Sequence, residues 1–349
     1  MLPAFRSTKS LVAFCALLIF ILTLPITLYM IGLPPREEAW SGISIYRGAA
    51  GDVVRTIYDD HDDVDVLLLG PSLLRRGLSP EAVQEALTKH LGRPAHVALL
   101  SLTGSGSDLP YFLLRDYLTY HHPKVIIWNE PEPGSYFNEP HIQAYRWMRY
   151  GEFGDLFTDL PLFFRLQVYG DMVLGAPKEL LYKLRPNLLS EQEKADRLGQ
   201  DVEDHINSGY FGAPFVPDAL PSDNHPIAKV MSVSSPIVHS GERPLRSYQL
   251  KYLRSTAELA KEKNCPLILL HLPMDSEYGN STLPEIANWS DVLGPGYQII
   301  GLPASVMFEG MTKDRFLHFF TDKHLNANGR QMATSVFVPA IIEAYDESK

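Results

Sequence analysis

Cysteine is scarce in this sequence, and the scarcity excludes a fold built on disulfides. Only two of the 349 residues are cysteines, Cys15 and Cys265, and each lies in an apolar run where we expect it to stay unpaired. No spacing of cysteine and histidine typical of a zinc site occurs, and the glycine-rich stretch at 104–107 lacks the lysine of a phosphate loop. The sequence therefore predicts neither a metal nor a cofactor.

Basic residues are fewer than acidic ones, which excludes a general nucleic-acid binder. The chain has 31 basic and 41 acidic residues, so its formal net charge is -10 at pH 7. Binding to phosphate backbones needs a basic surface, so we expect no nucleic acid among the partners. The remaining composition, with 45% hydrophobic and 21% charged residues, is ordinary for a globular protein.

Charge of either sign is missing from residues 10–35. The apolar run is longer than the roughly 20 residues that cross a bilayer, so we predict one transmembrane anchor at 10–33 after a cytoplasmic tail at 1–9. Arg6 and Lys9 precede the run, which places the N-terminus in the cytoplasm and the rest of the chain on the periplasmic side of the inner membrane. A cleaved signal peptide is the alternative, although no small-residue cleavage site follows.

After a connector at 34–62, strands and helices alternate through a domain predicted to cover 63–349. Continuous apolar strands alternate with amphipathic helices, the strands at 64–70, 95–102 and 124–128 and the helices at 79–92 and 107–121. This order predicts an α/β fold whose central parallel sheet is covered on both faces. The alternation resumes with a helix at 244–264, a strand at 266–273 and a helix at 326–347. The stretch at 131–243, with helical patches near 160–185, is predicted to be an insertion that forms part of a cleft or lid.

A serine directly follows the first predicted strand, in the segment VLLLGPS at 66–72. In an open parallel sheet, functional side chains collect at the carboxyl ends of the strands, which is where Ser72 lies. A serine displayed at such a turn can act as a nucleophile. It can equally be a turn residue or a helix cap, so Ser72 alone does not decide between these roles.

The segment FFTDKHLNANGRQ at 319–331 supplies the partners that a serine nucleophile needs. His324 can accept the proton of Ser72, and Asp322 can orient the imidazole and stabilise its protonated form. The alternative reading is a surface histidine and a capping aspartate before the last helix.

Two further strand ends offer donors for a developing oxyanion. Gly104 follows the second strand, where a glycine lets a backbone N–H approach the reacting oxygen, and Gly106 is its rival. Asn129 follows the third strand, and its side chain can donate to the same oxygen or simply shape the turn. Arg75 and Arg76 follow Ser72 and can bind an anionic substrate such as a uronate or teichoate, although arginines on a helix more often form ion pairs or a solvated face.

Taken together, these blocks resemble the SGNH (GDSL-like) hydrolase superfamily. The resemblance covers roughly 64–129 and 245–345, and it is nearest to a membrane-anchored periplasmic branch that includes alginate O-acetyltransferase-like and D-alanyl transfer proteins. It implies a three-layer flavodoxin-like sandwich with Ser72 as nucleophile, His324 as base and Asp322 as its orienting acid. It also implies an oxyanion hole formed by the N–H groups of Ser72 and Gly104, with Asn129 as a third donor.

Two positions depart from the superfamily pattern. Pro71 stands where Asp or Ser is usual, and proline has no N–H, but the expected oxyanion donor is the N–H of Ser72. Asp322 precedes His324 by two residues. This spacing resembles that of the acetyltransferase branch, whereas the spacing in many soluble esterases is three residues.

Three functions follow as alternatives. The first is transfer of an acyl group, best matched by acetyl, through acyl-Ser72 to hydroxyls of an envelope or exported polysaccharide. A polytopic membrane acyltransferase would then supply the acyl group. The second is ester hydrolysis by an anchored esterase, which uses the same groups. The third is a non-catalytic envelope protein that binds polysaccharide, where aromatic residues of the insertion either stack on sugars or pack in the core: Tyr136, Phe137, Tyr145, Trp147 and Tyr150.

Overall fold

The central feature of the structure is a six-stranded sheet. The computed structural model describes residues 7–30, 49–59, 64–102, 104–131, 139–145, 159–190, 227–233, 245–284, 288–321 and 323–348. Within them the strands of the sheet are β1 (Val66–Gly70), β2 (Val97–Ser101), β3 (Val125–Asn129), β4 (Lys229–Val233), β5 (Leu267–Leu270) and β6 (Tyr297–Gly301). Their spatial order is β2-β1-β3-β5-β6-β4, and all neighbours are parallel except β4, which runs antiparallel to β6 at the edge.

Helices flank the sheet and connect its strands. They are α1 (Thr8–Met30), α2 (Ala49–Val54), α3 (Ser72–Gly77), α4 (Pro80–Leu91), α5 (Asp108–Tyr120), α6 (Ile142–Tyr145), α7 (Leu162–Leu184), α8 (Ser247–Glu262), α9 (Trp289–Leu293), α10 (Ala304–Met307), α11 (Lys313–Leu317) and α12 (Ala327–Glu347). A two-stranded antiparallel pair, β7 (Phe320–Thr321) and β8 (His324–Leu325), precedes α12. Single turns of other helix types lie at Arg55–Asp59, Pro186–Leu188 and Asp275–Glu277.

The apolar strands bury both of their faces, which explains why they read as continuous hydrophobic runs. In β1, Leu67 and Leu69 belong to a core that includes α5 and α8, whereas Val66 and Leu68 belong to a second core with α4 and α12. The result is an α/β protein with helices on both faces of a mostly parallel sheet. This confirms the predicted α/β class and central parallel sheet.

The local signals read from the sequence place several elements within a few residues of their observed bounds. Helix α4 is an example: the Ser79 hydroxyl accepts a hydrogen bond from the Ala82 N–H, Pro80 occupies the first turn, and Gly92 ends the helix at a φ of 65°. The helical patch expected near 160–185 is α7.

Two strands of the central sheet were not anticipated. β6 is a run of five residues between glycine-rich turns, too short for its period to separate strand from loop. β4 lies inside the predicted insertion at 131–243, and its mixed polar sequence reflects an exposed edge position. A part of that insertion therefore extends the central sheet, while much of the remainder falls outside the described residues.

Helix α1 occupies most of the predicted anchor at 10–33. Within the described ranges, no helix combines the length and apolar character that crossing a membrane requires. The predicted transmembrane anchor, and the location drawn from it, therefore remain predictions without support from the structure. In the predicted connector at 34–62, the structure describes α2 and the turn Arg55–Asp59, whose buried Val53 and Ile57 join the core on the α5 side.

The amino end of the sheet is tied together by one buried carboxylate, Asp65. It accepts two hydrogen bonds from the Arg93 guanidinium (2.6 and 3.0 Å), one from the Tyr345 hydroxyl (3.0 Å) and one from the His96 N–H (3.1 Å). Burial raises the pKa of Asp65, but these donors outweigh burial and hold the pKa below its ordinary value. The carboxylate thereby links β1 to the start of β2 and to the end of α12.

Replacing this carboxylate tests its contribution to stability. Asp65→Asn is expected to lower the free energy of unfolding by about 2 kcal/mol at pH 7, because it removes charge-assisted hydrogen bonds. The folded pKa is depressed, so this contribution is present above the unfolded pKa of about 3.9 and is lost as the pH falls through the folded pKa.

Urea unfolding of the wild type and the variant at pH 7 and at pH 3 measures the difference. The exposed Asp314→Asn is the matched control, with an expected change of only a few tenths of a kcal/mol. Equal stability of the wild type and Asp65→Asn at pH 7 would show that Asp65 contributes nothing.

Candidate active site

The turn that carries Ser72 is fixed from two directions. The Pro71 carbonyl accepts hydrogen bonds from the Ser101 hydroxyl (2.8 Å), at the end of β2, and from the Leu74 N–H (3.1 Å), inside α3. Before the turn, a Cβ on Gly70 would lie 2.8 Å from the Cβ of Asn129, so only glycine lets the ends of β1 and β3 approach this closely. Ser72 therefore starts α3 from a rigid strand end.

Ser72 and His324 are in hydrogen-bond contact although 252 residues separate them in the chain. The Ser72 hydroxyl and the His324 Nε2 lie 2.9 Å apart. Both residues are largely buried, with 4% and 8% of their surfaces exposed. A hydroxyl that donates to an imidazole nitrogen at this distance can lose its proton to that nitrogen as it attacks an acyl carbon.

His324 is held in place by the segment that follows it. The Asn326 side chain donates to the His318 carbonyl (2.8 Å) and accepts from the N–H groups of Asn328 (3.0 Å) and Gly329 (3.1 Å), which caps α12. A Cβ on Gly329 would lie 2.3 Å from the Phe319 carbonyl oxygen, so glycine is needed where the loop folds back on the helix. The segment LNANG at 325–329 therefore fixes the end of the short β7–β8 hairpin, which contains His324.

Asp322, the predicted orienting acid, lies outside the described residues. Its contact with His324 therefore stays a prediction. The hairpin on either side of it rests on an aromatic cluster in which Phe316 packs on Phe308 (ring centres 4.7 Å apart, nearly perpendicular) and on Phe320 (4.7 Å).

The loop after β2 contains Gly104, whose role as an oxyanion donor stays a prediction. Gly104 and Gly106 both have positive φ, 64° and 53°, a region that favours glycine. The Gly104 carbonyl accepts a hydrogen bond from the His141 Nε2 (2.9 Å). This contact orients the peptide that follows Gly104 and restrains the loop beside the Ser72 turn.

His141 and Asp108 form a buried ion pair that the sequence reasoning missed. The His141 Nδ1 is hydrogen-bonded to the Asp108 carboxylate, which also accepts from the His141 N–H (2.8 Å) and the Leu109 N–H (2.9 Å). Because a carboxylate and a carbonyl only accept, both ring nitrogens of His141 carry protons. Burial lowers the pKa of His141, but the charge of Asp108 outweighs burial and raises it.

Glu139 completes this network behind the glycine loop. Its carboxylate accepts from the Ser107 N–H, the Ser107 hydroxyl (2.8 Å) and the Gln249 side-chain amide (2.8 Å). Burial and then the neighbouring Asp108 raise the pKa of Glu139 to about 7. The network joins the starts of α5 and α8 to residues 139–141. The sequence contains the ionisable residues of this network only as separate polar positions in GSGSDLP and NEPH, and no spacing indicates that they pair.

Asn129, the third predicted oxyanion donor, is engaged in the sheet. Its side-chain NH2 donates to the Leu270 carbonyl (2.9 Å), which also accepts from the Glu130 N–H (3.1 Å). Asn129 is 1% exposed, and its amide oxygen has no hydrogen-bond partner among the described residues. One N–H of the amide therefore shapes the junction of β3 and β5, and donation of the other to an oxyanion stays a prediction.

A buried charged cluster supports the same strand ends. His271, after β5, contacts Glu130 through Nδ1 and Glu277 through Nε2, both at 3.0 Å, and the Trp289 indole N–H donates to Glu130. Burial lowers the pKa of His271, but the two carboxylates raise it to about 10, so the imidazole is charged at neutral pH. The three side chains are paired with one another, so this cluster joins the residues that follow β3 and β5.

Two further predictions concern substrate binding by Arg75 and Arg76 and sugar stacking by aromatic residues of the insertion. For Arg75 and Tyr145, the observed contacts match the alternatives, which were an ion pair and core packing. The guanidinium of Arg75 donates to the Asp52 carboxylate and to the Ser101 carbonyl, both at 3.3 Å, as the ion-pair alternative requires. Arg76 is partly buried. Tyr145 is fully buried and packs edge-to-face on Phe112 (5.2 Å), whereas the other aromatic residues considered for sugar stacking lie outside the described residues.

No cluster of three or more potential metal ligands occurs in the described part of the chain. No protein-family model matches the chain, and no curated protein matches it either. Its chemistry is therefore inferred from the geometry of its own site and from the motif blocks quoted above.

Substitution of Gly106 tests how tightly the glycine loop is packed. Gly106→Ala would place a Cβ 1.7 Å from the Glu139 Oε1 at a φ of 53°. We expect a loss of at least about 3 kcal/mol in the free energy of unfolding, because strain adds to broken hydrogen bonds of a buried carboxylate. Gly92→Ala is the matched control: φ is 65° and nothing lies within 4 Å, so only the strain of about 1 to 2 kcal/mol remains. Equal losses in urea unfolding would contradict the packing.

Glu139 predicts a specific pH dependence of stability. Its folded pKa of about 7 lies above the unfolded value, so its favourable contribution is present below about pH 4.3 and is lost as the pH rises through 7. Relative to Glu139→Gln, which does not titrate, the wild type should lose up to about 3 kcal/mol of unfolding free energy between pH 4.5 and 8.

Urea unfolding across this pH range measures the difference between the two proteins. The exposed Glu85→Gln serves as the control and should show no such trend. A difference between wild type and Glu139→Gln that stays constant with pH would contradict the assignment.

Proposed function

We propose that this protein transfers acyl groups through an acyl-serine intermediate on Ser72. The observation that supports the proposal most strongly is the 2.9 Å contact between the Ser72 hydroxyl and the His324 Nε2, made by two buried residues from opposite ends of the domain. A serine that serves only as a turn residue has no need of a histidine partner so distant in the chain.

The mechanism follows from the positions of these groups. Ser72 attacks the acyl carbon while His324 Nε2 takes the hydroxyl proton, and the N–H groups of Ser72 and Gly104 receive the developing oxyanion. The tetrahedral intermediate collapses, and the leaving group takes the proton from His324. In the second half, His324 deprotonates the acceptor hydroxyl as it attacks acyl-Ser72 and then returns the proton to Ser72. Asp322 is assigned to orient the imidazole and Asn129 to assist the oxyanion.

The topology supports this assignment. The strand order β2-β1-β3-β5-β6 is that of a flavodoxin-like doubly wound sheet, in which sites form beyond the carboxyl ends of the strands. β1 lies between β2 and β3, so Ser72, Gly104 and Asn129 follow three adjacent strand ends. This arrangement agrees with the SGNH-like sandwich that the four motif blocks resemble.

Transfer to a carbohydrate hydroxyl is the favoured outcome, because the motif blocks resemble the envelope acetyltransferase branch more than soluble esterases. The acyl group is then acetyl or a comparably small group, and the acceptor is an envelope or exported polysaccharide. We propose that a polytopic membrane acyltransferase supplies the acyl group. The domain would then act on the extracytoplasmic side of the cell membrane. With water as the acceptor, the same site is an ester hydrolase.

Labelling with a serine-reactive fluorophosphonate tests the nucleophile without a known substrate. We expect one adduct per chain, mapped to Ser72 by peptide mass, absent in Ser72→Ala and formed at least about a hundredfold more slowly in His324→Ala. His318→Ala is the matched control, because His318 is exposed just before the β7–β8 hairpin and the variant should react at the wild-type rate.

The outcomes separate the candidate functions. An adduct at Ser72, together with acetylation of an added oligosaccharide when unlabelled protein is supplied with an activated acetyl ester, supports transfer, whereas release of acetate alone from that ester supports hydrolysis. A folded protein that forms no adduct would contradict both and favour a polysaccharide-binding protein.

A further inference from the structure

Helix α7 carries an apolar stripe along its whole length. Its exposed members are Leu162, Phe163, Leu166, Leu174, Leu181 and Leu184, which fall within a sector of about 120° on a helix of 3.6 residues per turn. No acidic or basic residue of the helix falls within that sector. Because the helix has 23 residues, the stripe is about 34 Å long.

The α7 stripe does not face the protein core. The opposite side of α7 supplies the buried Val168 and Met172 to the core on the α5 and α8 side of the sheet. In contrast, Leu162, Leu166 and Leu184 are 66%, 62% and 72% exposed. Large exposed apolar side chains at both ends and in the middle of one helix face mark a contact with something outside the domain, although Val173 in the same sector is buried.

Helix α1 lies beside the stripe and has the same character. The Tyr169 hydroxyl of α7 donates to the Leu22 carbonyl of α1 (2.7 Å), so the two helices are in contact. Residues 17–22 of α1 are six consecutive apolar residues, each at least 38% exposed. Six consecutive positions point to every side of a helix, so α1 exposes apolar side chains all round.

The exposure of apolar side chains on every side of α1 indicates what kind of molecule covers α1 and the α7 stripe. A second copy of the chain, or a single partner protein, covers one side of α1 and leaves the other sides in water. Lipid acyl chains cover every side of α1 and the adjoining α7 stripe together. The exposed Lys178 and Arg185 border the stripe, where basic side chains reach lipid head groups.

We propose that α7 is a second lipid contact of this protein, lying with its stripe against the apolar part of a bilayer beside α1. The layer of α5 and α8 then faces the membrane, and the layer of α4 and α12 faces away from it. The proposal concerns a surface that does not include Ser72, and it does not depend on the proposed acyl transfer.

Site-specific fluorescence in lipid nanodiscs tests this placement on the full chain. In a Cys15→Ser, Cys265→Ala background, a fluorophore is attached at Leu166→Cys or Leu181→Cys on the stripe, or at Val306→Cys as the control. Val306 belongs to α10 on the opposite face of the sheet and is 37% exposed. The discs contain phosphatidylcholine and phosphatidylglycerol, with or without a quencher on the acyl chains.

The acyl-chain quencher is expected to reduce the fluorescence at positions 166 and 181 and to leave position 306 unchanged. Acrylamide in the aqueous phase should show the reverse order. Quenching by acrylamide at 166 and 181 as strong as at 306 would overturn the proposal, because the stripe would then face water. Protection from both quenchers would also overturn it, because a protein would then cover the stripe. Circular dichroism verifies that each variant is folded, and the two stripe positions serve as independent tests.

Discussion

The contact between the Ser72 hydroxyl and the His324 imidazole is the constraint on which the site depends. Its two members are 252 residues apart in the chain, so the contact is a product of the tertiary fold and not of local sequence. β1 supplies a rigid strand end for Ser72, and Ser101 of β2 secures the turn through the Pro71 carbonyl. On the other side, Asn326 closes the hairpin that presents His324 and caps the last helix. These local hydrogen bonds hold the two segments so that the Ser72 hydroxyl and the His324 Nε2 lie 2.9 Å apart.

Behind this contact, buried charges hold the loops that surround it. The group of Asp108, Glu139 and His141 restrains the glycine loop after β2, and the group around His271 restrains the ends of β3 and β5. Burying charges lowers stability unless each is paired, and in both groups the charges are paired or hydrogen-bonded. A fully hydrogen-bonded buried network favours one geometry of the loops that it joins, which is what preorganised donors require.

Sequence patterns predicted the parts of this molecule that follow from periodicity and chain order. Continuous apolar runs identified β1, β2, β3 and β5, and parallel pairing brings their carboxyl ends to one edge, so the approach of Ser72, Gly104 and Asn129 was foreseeable. The pairing of Ser72 with His324 was expected from the chemistry of the two side chains and from the family resemblance of the motif blocks, because His324 lies outside the central sheet. The partners of Asp108 and Asn129 were not, because no period indicates which buried polar groups meet across the fold. The edge strand β4 was missed for a related reason, since its place depends on β6 and not on its own sequence.

The most direct test of this account is a crystal structure of the full domain with a phosphonate bound to Ser72. The account predicts a phosphonyl oxygen within hydrogen-bond distance of the N–H groups of Ser72 and Gly104, with His324 Nε2 facing the covalently modified Oγ. The glycine loop should keep its contact with His141. An adduct on a different residue, or a phosphonyl oxygen that points away from Gly104 with His324 displaced, would contradict the assignment of this site.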